Sequence, residues 1–225
     1  MPTPIVNVFP EGALTNPVEG KVFVGVSLKI RTAELPAHLS WALNWTRDNL
    51  GRFDLLIGDY LNRHNYEAFD GATESGAIEH TTRDADHASK KLRRLISANS
   101  MEGVELISAA VLCKNPDFLG RLEHFERRYR DNHDFRLLID QAVDNYLRRT
   151  ASSTRVDQSV RAHCVAYQLE ELVLFELLVE KDYRVLVYAG AQLPVMRSIA
   201  SKSLSGISRV LEALSLVELR FARAK

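Results

Sequence analysis

The sequence predicts an α/β fold, a doubly wound parallel sheet with an extra helical layer. Predicted strands alternate with predicted helices through the first half of the 225-residue chain, which is typical of β-α-β units with right-handed crossovers. These strands are continuous apolar runs, as in parallel strands that are covered on both faces. Helices dominate the middle of the chain, so we expect an additional helical layer there.

The boundaries of each element follow from local signals. Gly51 ends the first helix, and Pro36 and Pro116 suit early helical turns. The predicted strands are residues 21–28, 53–57, 104–113, 183–188 and 214–222. The predicted helices are residues 32–50, 81–101, 116–132, 133–151, 156–181 and 194–204. We expect a single domain over residues 1–225, in which residues 1–20 form an N-terminal arm or a short edge strand.

The composition limits the classes of protein to which the chain can belong. The 29 basic and 29 acidic residues give a formal net charge of zero, so binding of nucleic acid would need a local basic patch. Cys113 and Cys164 lie in apolar stretches and are expected to be buried thiols in a reducing compartment. No metal-ligand spacing, signal peptide or apolar run of about 20 residues is apparent, and we expect a cytoplasmic protein without a metal or membrane contact.

The stretch from Lys21 to Arg31 carries the first candidate site. Its apolar run ends at two small residues, Gly25 and Ser27. Ligands of open α/β sheets bind beyond the carboxyl ends of the strands, so Ser27 would face a crevice if this is the first strand of the sheet. The alternative is a serine that merely ends a strand.

The helix over residues 156–181 carries a second candidate. Its apolar stripe consists of Val160, Cys164, Tyr167, Leu174 and Leu178. Glu171 falls on this stripe, one turn after Tyr167, whereas Glu170 falls off it. A carboxylate on a buried stripe is costly unless it is paired, so Glu171 is either a functional group or part of a structural ion pair. Tyr167 is either its neighbour in a site or an aromatic core residue.

The helix over residues 81–101 is basic. It contains Lys90, Lys91, Arg93 and Arg94, which could bind phosphates by charge or form an ordinary solvated face. The chain has no phosphate loop, no GxGxxG after the first strand and no complete nucleophile elbow. Because Ser27 has no evident histidine base, it suits an activated acyl donor better than an amide.

Taken in order, these residues resemble the tRNA-dependent cyclodipeptide synthases over roughly residues 20–222. The features that carry the resemblance are Gly25-Val26-Ser27, the basic helix, the Asn115-Pro116 helix start, Tyr167-xxx-Glu171 and a strand that ends in Tyr188. The resemblance implies a Rossmann-like fold similar to the catalytic domain of class I aminoacyl-tRNA synthetases. No ATP-binding signature of those synthetases is present, and no cofactor is expected.

The resemblance also implies a reaction. Two charged tRNAs would donate their aminoacyl groups in a ping-pong mechanism through aminoacyl-Ser27 and dipeptidyl-Ser27, which releases a 2,5-diketopiperazine. Tyr167 and Glu171 would hold the amino group of the bound aminoacyl moiety, and Tyr188 would relay protons. Lys90, Lys91, Arg93 and Arg94 would contact the tRNA. Gly25, Ile30 and Phe118 would lie around the substrate.

Three positions depart from the family. Its two main subfamilies have either an asparagine three residues after the serine with a Tyr-His pair, or a Tyr-Pro pair without that asparagine. Ile30 and Tyr188-Ala189 match neither, and Phe118 stands near a position where some members have a tyrosine. A tRNA-binding relative without activity or with altered specificity is therefore an alternative, and an unrelated Rossmann-like hydrolase that uses Ser27 is another. The oligomeric state stays open, and a monomer is compatible with the sequence.

Overall fold

A computed structural model describes residues 4–14, 19–26, 38–150, 157–189 and 193–221. The described strands are β1 (Pro4–Phe9), β2 (Lys21–Val26), β3 (Phe53–Ile57), β4 (Leu106–Ser108), β5 (Tyr183–Ala189) and β6 (Ser215–Phe221). The described helices are α1 (Leu39–Leu50), α2 (Arg63–Asp70), α3 (Glu74–Ala98), α4 (Ala109–Leu112), α5 (Phe118–Asp131), α6 (His133–Thr150), α7 (Gln158–Val179) and α8 (Pro194–Ala200). Short 3-10 turns cover Tyr60–Asn62 and Leu211–Ala213.

The strands form one mixed sheet in the order β1-β6-β5-β2-β3-β4. Strand β1 is antiparallel to β6, and the other neighbouring strands are parallel. Read from β4, the parallel strands follow the order 3-2-1-4-5 that characterises Rossmann folds. The order reverses between β2 and β5, so the crevice expected for a ligand lies at the carboxyl ends of these two strands.

Helices cover both faces of the sheet, as the sequence predicts. One face presents Phe23, Leu186 and Leu216 to a core that also contains buried residues of α5, α6, α7 and α8. The other face presents Val24 and Val187, among others, to buried residues of α1 and α3. Helices α5 and α6 both pack on α7 and form the extra helical layer.

The environment of helix α7 changes along its length, from partly exposed at the start to fully buried at the end. Its first turns alternate between buried and partly exposed residues, but every residue from Leu169 to Val179 is buried. A helix that is apolar on all sides belongs in the interior of a protein. The prediction that Glu170 lies off the buried stripe is therefore wrong, because this part of α7 has no solvent-facing side.

A predicted strand and the start of a predicted helix differ from the structure, and one helix was not predicted. The predicted strand over residues 104–113 is wrong, because only Leu106–Ser108 are extended and Ala109–Leu112 form α4. A short apolar run does not distinguish a strand from a buried helix, and Ser108 caps α4 by accepting a hydrogen bond from the Val111 N–H. Helix α2 was not predicted, and α3 begins at Glu74 rather than near Thr81. Among the described helices, none is long and apolar enough to cross a membrane.

Candidate active site

The candidate site lies at the switch point of the sheet. Gly25, near the end of β2, is the register partner of Tyr188 near the end of β5. On the other side of β2, Val26 pairs with Ile57, which is followed by Gly58. Helix α7 covers this end of the sheet and brings Tyr167 and Glu171 to it. Four predicted site residues, from two distant parts of the sequence, are thus close together: Gly25, Tyr167, Glu171 and Tyr188.

Tyr188 stands over Gly25. A Cβ atom on Gly25 would lie 3.0 Å from Cδ2 and 3.1 Å from Cε2 of the tyrosine ring, closer than ordinary van der Waals contact. Glycine at this position therefore makes room for the ring. Tyr188 is buried, and burial raises the pKa of its phenol well above the usual value, with the nearby Glu171 and Tyr167 adding to the shift. The phenol is consequently a proton donor at neutral pH.

Glu171 is buried, with 7% of its surface exposed. In the described part of the chain, its carboxylate has no hydrogen bond or ion pair, and burial raises its pKa to about 8. A buried carboxyl group without a charge partner among the described residues is a candidate for binding a cation, because a cation would stabilise its charged form.

Tyr167 lies one turn before Glu171 and is half-buried. Its hydroxyl oxygen is 3.3 Å from the position that a Cβ atom on Gly58 would occupy. The hydroxyl therefore reaches the loop that follows β3, and Gly58 leaves room for it. Together with its effect on the pKa of Tyr188, this places Tyr167 at the switch point rather than in a separate part of the core.

Ser27 and Ile30 lie outside the described residues. The strand that leads to them ends at Val26, directly after the Gly25–Tyr188 pair. Phe118, the first residue of α5, is buried in the same core as Tyr188. Ala189 is the last residue of β5 and is partly buried against the opposite core. The roles of Ser27, Ile30 and Phe118 therefore stay predictions.

The basic patch consists of Lys90, Lys91, Arg93 and Arg94 on α3, and all four side chains are exposed. Leu92, between them, is fully buried and anchors the helix to the sheet. This arrangement fixes the helix by its apolar side and presents four positive charges to solvent. Such a surface can contact phosphates without any sequence-specific interaction.

Comparison with known proteins identifies the family. The sequence model of the cyclodipeptide synthases matches residues 19–200, most of the chain. The chain belongs to the cyclodipeptide synthase family. This cyclodipeptide synthase is accordingly an enzyme that uses aminoacyl-tRNAs to form cyclic dipeptides. No curated protein matches its sequence.

Solved structures of other cyclodipeptide synthases share the fold. The synthase from Fluoribacter dumoffii is 18% identical, with a TM-score of 0.76 over 98% of this chain and 99% of that one. The Mycobacterium tuberculosis protein, described as relating these enzymes to type I tRNA synthetases, is 16% identical, with a TM-score of 0.70 over 97% and 94%. The synthase from Candidatus Glomeribacter gigasporarum, bound to Phe-tRNAPhe, is 17% identical, with a TM-score of 0.58 over 91% and 88%.

The sequence did not reveal a buried ion pair next to the site of this synthase. Both Nη atoms of Arg63 donate to the two oxygens of Glu170, at 2.8 and 2.5 Å. Burial opposes ionisation of Glu170, but His64 and Arg63 lower its pKa below the usual value. The guanidinium of Arg63 also lies 3.9 Å from the centre of the Tyr60 ring. Arg63 thus joins the turn after β3 to α7, and no pattern in the sequence indicated this contact because α2, which carries Arg63, was not predicted.

A polar chain on the same side of α7 was also missed. Tyr146 donates a hydrogen bond to Asn65 Oδ1 at 2.7 Å, and Asn65 donates to Asn62 Oδ1 at 2.7 Å. Tyr146 is close enough to raise the pKa of Tyr188 slightly, and Arg149 lowers it. The end of α6 therefore contributes to the electrostatics of the site.

The two cysteine thiols of the chain are not reactive. Burial raises the pKa of Cys113 to about 12 and that of Cys164 to about 11, so both thiols are protonated and unsuited to nucleophilic attack.

His64, Glu67 and His163 could hold a metal ion, because one ligand atom from each side chain lies within 4.8 Å of the other two. No metal site is predicted from the sequence, because His163 is almost 100 residues away from His64 and Glu67 in the chain.

Proposed function

We propose that the synthase joins two aminoacyl groups, taken from two charged tRNAs, by a ping-pong mechanism through esters of Ser27. The observation that carries this proposal is the buried carboxyl group of Glu171, which has no hydrogen bond or ion pair with the residues that the structure describes and lies beside Tyr167 and Tyr188 at the switch point. An aminoacyl group that enters this crevice would bring an α-ammonium group. That group would supply the missing charge partner of Glu171.

The chemistry begins with an ester exchange. The Oγ atom of Ser27 attacks the carbonyl carbon of the first aminoacyl-tRNA, the bond to the ribose oxygen breaks, and the serine proton passes to that oxygen. One ester replaces another, so no strong base and no ATP are needed. We assign the transfer of this proton to Tyr188, and the raised pKa of its buried phenol, which keeps it protonated, supports that role.

The next two steps form the two amide bonds. The amine of aminoacyl-Ser27 attacks the carbonyl of the second aminoacyl-tRNA and displaces its ribose oxygen, which gives dipeptidyl-Ser27. The amine of the second residue then attacks the Ser27 ester, closes the six-membered ring and releases the serine. Each attack requires a neutral amine. The raised pKa of Glu171 brings its carboxyl group closer in basicity to an α-amino group, so proton transfer from the ammonium group to Glu171 is less unfavourable than transfer to an ordinary glutamate.

The tRNA binds through its phosphates to the basic patch on α3 in this proposal. The four exposed cations supply local positive charge on a chain whose net charge is zero. The cytoplasmic location and the absence of a cofactor stay predictions from the sequence.

The test is mass spectrometry on the purified protein mixed with total tRNA charged with the twenty amino acids. We expect a cyclic dipeptide, and in single-substrate reactions an aminoacyl adduct on the peptide that contains Ser27. The Ser27→Ala variant should lose both. The matched control is Ser203→Ala at an exposed turn, which should retain both.

Two results would contradict the proposal. A cyclic dipeptide formed at the normal rate by Ser27→Ala would remove the serine ester from the mechanism. tRNA binding without product in any aminoacyl-tRNA mixture would instead favour a relative that binds tRNA without catalysis. Hydrolysis of simple esters that ignores tRNA would favour a hydrolase.

A further inference from the structure

Three side chains from two helices meet beside the candidate active site, and we call them the His64 cluster. His64 and Glu67 lie on α2, and His163 lies on α7, one turn before Tyr167. The Nδ1 atom of His64 is 3.3 Å from Glu67 Oε2, and the Nδ1 atom of His163 is 3.2 Å from the same oxygen. Glu67 therefore stands between two imidazoles.

Both ring nitrogens of the buried histidine in this cluster face carboxylates. His64 is 7% exposed, and its Nε2 atom lies 3.1 Å from Glu170 Oε1, while its Nδ1 atom lies 3.3 Å from Glu67 Oε2. Among the described residues, neither nitrogen meets the full geometry of a hydrogen bond. Buried polar groups are usually well satisfied, and a metal ion between Nδ1 and Glu67 would complete this arrangement.

The spacing of the ligand atoms fits a metal ion. Zn²⁺ binds histidine nitrogen and carboxylate oxygen at about 2.0–2.1 Å with tetrahedral geometry, which separates ligand atoms by about 3.3 Å. The two separations that involve Glu67 are 3.3 and 3.2 Å, and all three ligand atoms lie within 4.8 Å of one another. Two imidazoles and one carboxylate form a donor set that suits Zn²⁺ and similar transition metals.

The surroundings resemble the outer shell of known metal sites. A histidine that binds a metal usually donates its other ring N–H to a carboxylate, which fixes the tautomer. Glu170 faces Nε2 of His64, and Arg63 holds Glu170 in place. The side chain of His163 is 32% exposed, so an ion has a route from solvent.

We propose that His64, Glu67 and His163 bind one divalent transition-metal ion of the Zn²⁺ type. His64 and His163 bind through Nδ1, and Glu67 binds through Oε2. The ion cross-links α2 to α7 and so stabilises the helix that carries Tyr167 and Glu171. This inference does not depend on the proposed function, because it concerns a separate set of residues.

The test uses tag-free protein that has been treated with EDTA and dialysed. Titration with Zn²⁺ by calorimetry should give one equivalent of bound metal, and Co²⁺ should give the visible absorption of a tetrahedral site. Zinc at a hundred times Kd should raise Tm by about 5 °C. His163→Ala and Glu67→Gln should weaken zinc binding by at least about 10-fold. The side chains of His163 and Glu67 are less buried than that of His64, so we expect both variants to fold.

The matched control is His133→Ala, which removes an exposed histidine on α6 and should bind zinc like the wild type. The inference is overturned if the wild type takes up no zinc. It is also overturned if His163→Ala and His133→Ala bind zinc with the affinity of the wild type, because the bound metal would then lie elsewhere. These readouts require no cyclodipeptide activity, so they are separate from the test of the reaction.

Discussion

Glu170 and Glu171 are neighbours on α7 and are buried to a similar extent, with 4% and 7% of their surfaces exposed, but their surroundings are opposite. Glu170 faces Arg63 and His64, and its pKa is lowered. Glu171 faces the switch point and Tyr188, and its pKa is raised to about 8. The protein therefore neutralises the Glu170 carboxylate with its own residues, whereas the Glu171 carboxyl group is the one that we propose binds the amino group of the substrate. The first side of α7 is structural and the second is proposed to be catalytic.

The largest expected effect comes from breaking the Glu170 ion pair. Arg63→Met removes the bidentate partner of the buried Glu170 carboxylate, which should lower the free energy of unfolding by about 3–5 kcal/mol in urea denaturation. The double variant Arg63→Met/Glu170→Leu should recover most of this loss. Arg83→Met, which breaks an exposed pair with Glu79 on α3, should cost less than about 0.5 kcal/mol. Equal losses in the two arginine variants would contradict the structural role of Arg63.

The next effect is a pH dependence that distinguishes the two glutamates. The folded pKa of Glu171 is raised from 4.5 to about 8, so folding takes up a proton between these values and stability falls as pH rises. Relative to Glu171→Gln, the wild type should lose on the order of 2–3 kcal/mol between pH 5 and pH 7. Urea denaturation at several pH values measures the difference.

Glu170→Gln is the control for this pH dependence. The folded pKa of Glu170 is lowered, so its contribution to stability is present above its unfolded pKa and is lost only as pH falls below that range. We therefore expect Glu170→Gln to be less stable than the wild type by a nearly constant amount from pH 5 to pH 7. Parallel curves for the wild type and Glu171→Gln would show that Glu171 is ionised in the free protein.

A smaller effect comes from adding one methyl group at the switch point. Gly25→Ala should push against the ring of Tyr188 and cost about 1–2 kcal/mol, because the buried ring has little room to move. It should also slow cyclodipeptide formation without changing the affinity for zinc proposed at the His64 cluster. Gly120→Ala on α5 meets no atom within 4 Å and should be neutral or stabilising by up to about 1 kcal/mol. Full activity in Gly25→Ala would remove the need for close contact with Tyr188.

The smallest effect on stability is expected from the basic patch on α3. Reversing the charges of Lys90, Lys91, Arg93 and Arg94 to glutamate touches neither side of α7 and should leave stability within about 0.5 kcal/mol. It should weaken tRNA binding at least about 10-fold and flatten its dependence on salt. Arg127→Glu/Arg130→Glu on α5 provides the comparison at other exposed cations. An unchanged salt slope in the quadruple variant would exclude α3 from the interface.

The sequence predicted one of the two glutamates and missed the other for a physical reason. Glu171 could be predicted because it repeats the helical spacing of the buried residues before it. The burial of Glu170 could not be predicted in this way. Helical spacing identifies a buried stripe only where the other side of the helix faces water, and all residues of α7 from Leu169 onward are buried. Arg63, the partner of Glu170, lies on α2, a polar eight-residue helix with no apolar stripe of its own.

The individual strands were predicted more completely than the contacts between elements that are distant in sequence. Continuous apolar runs gave β2, β3, β5 and β6 within one or two residues, but the same rule mistook α4 for part of a strand. The strand order, and with it the meeting of Gly25 and Tyr188, depends on long-range packing that local patterns do not contain. The His64 cluster is missed for the same reason, since α2 and α7 are adjacent only in space.

The central pair of strands also has a consequence for how the chain folds. Strands β2 and β5 are neighbours in the sheet, but most of the sequence separates them, from residue 25 to residue 188 at the site itself. Closing a loop of this length costs roughly 4–5 kcal/mol of chain entropy before the contact stabilises anything. During synthesis, β2, β3 and α3 leave the ribosome long before β5, the strand that pairs with β2. The crevice is therefore among the last features to form, and the protein gains a competent site only when β5 docks against β2.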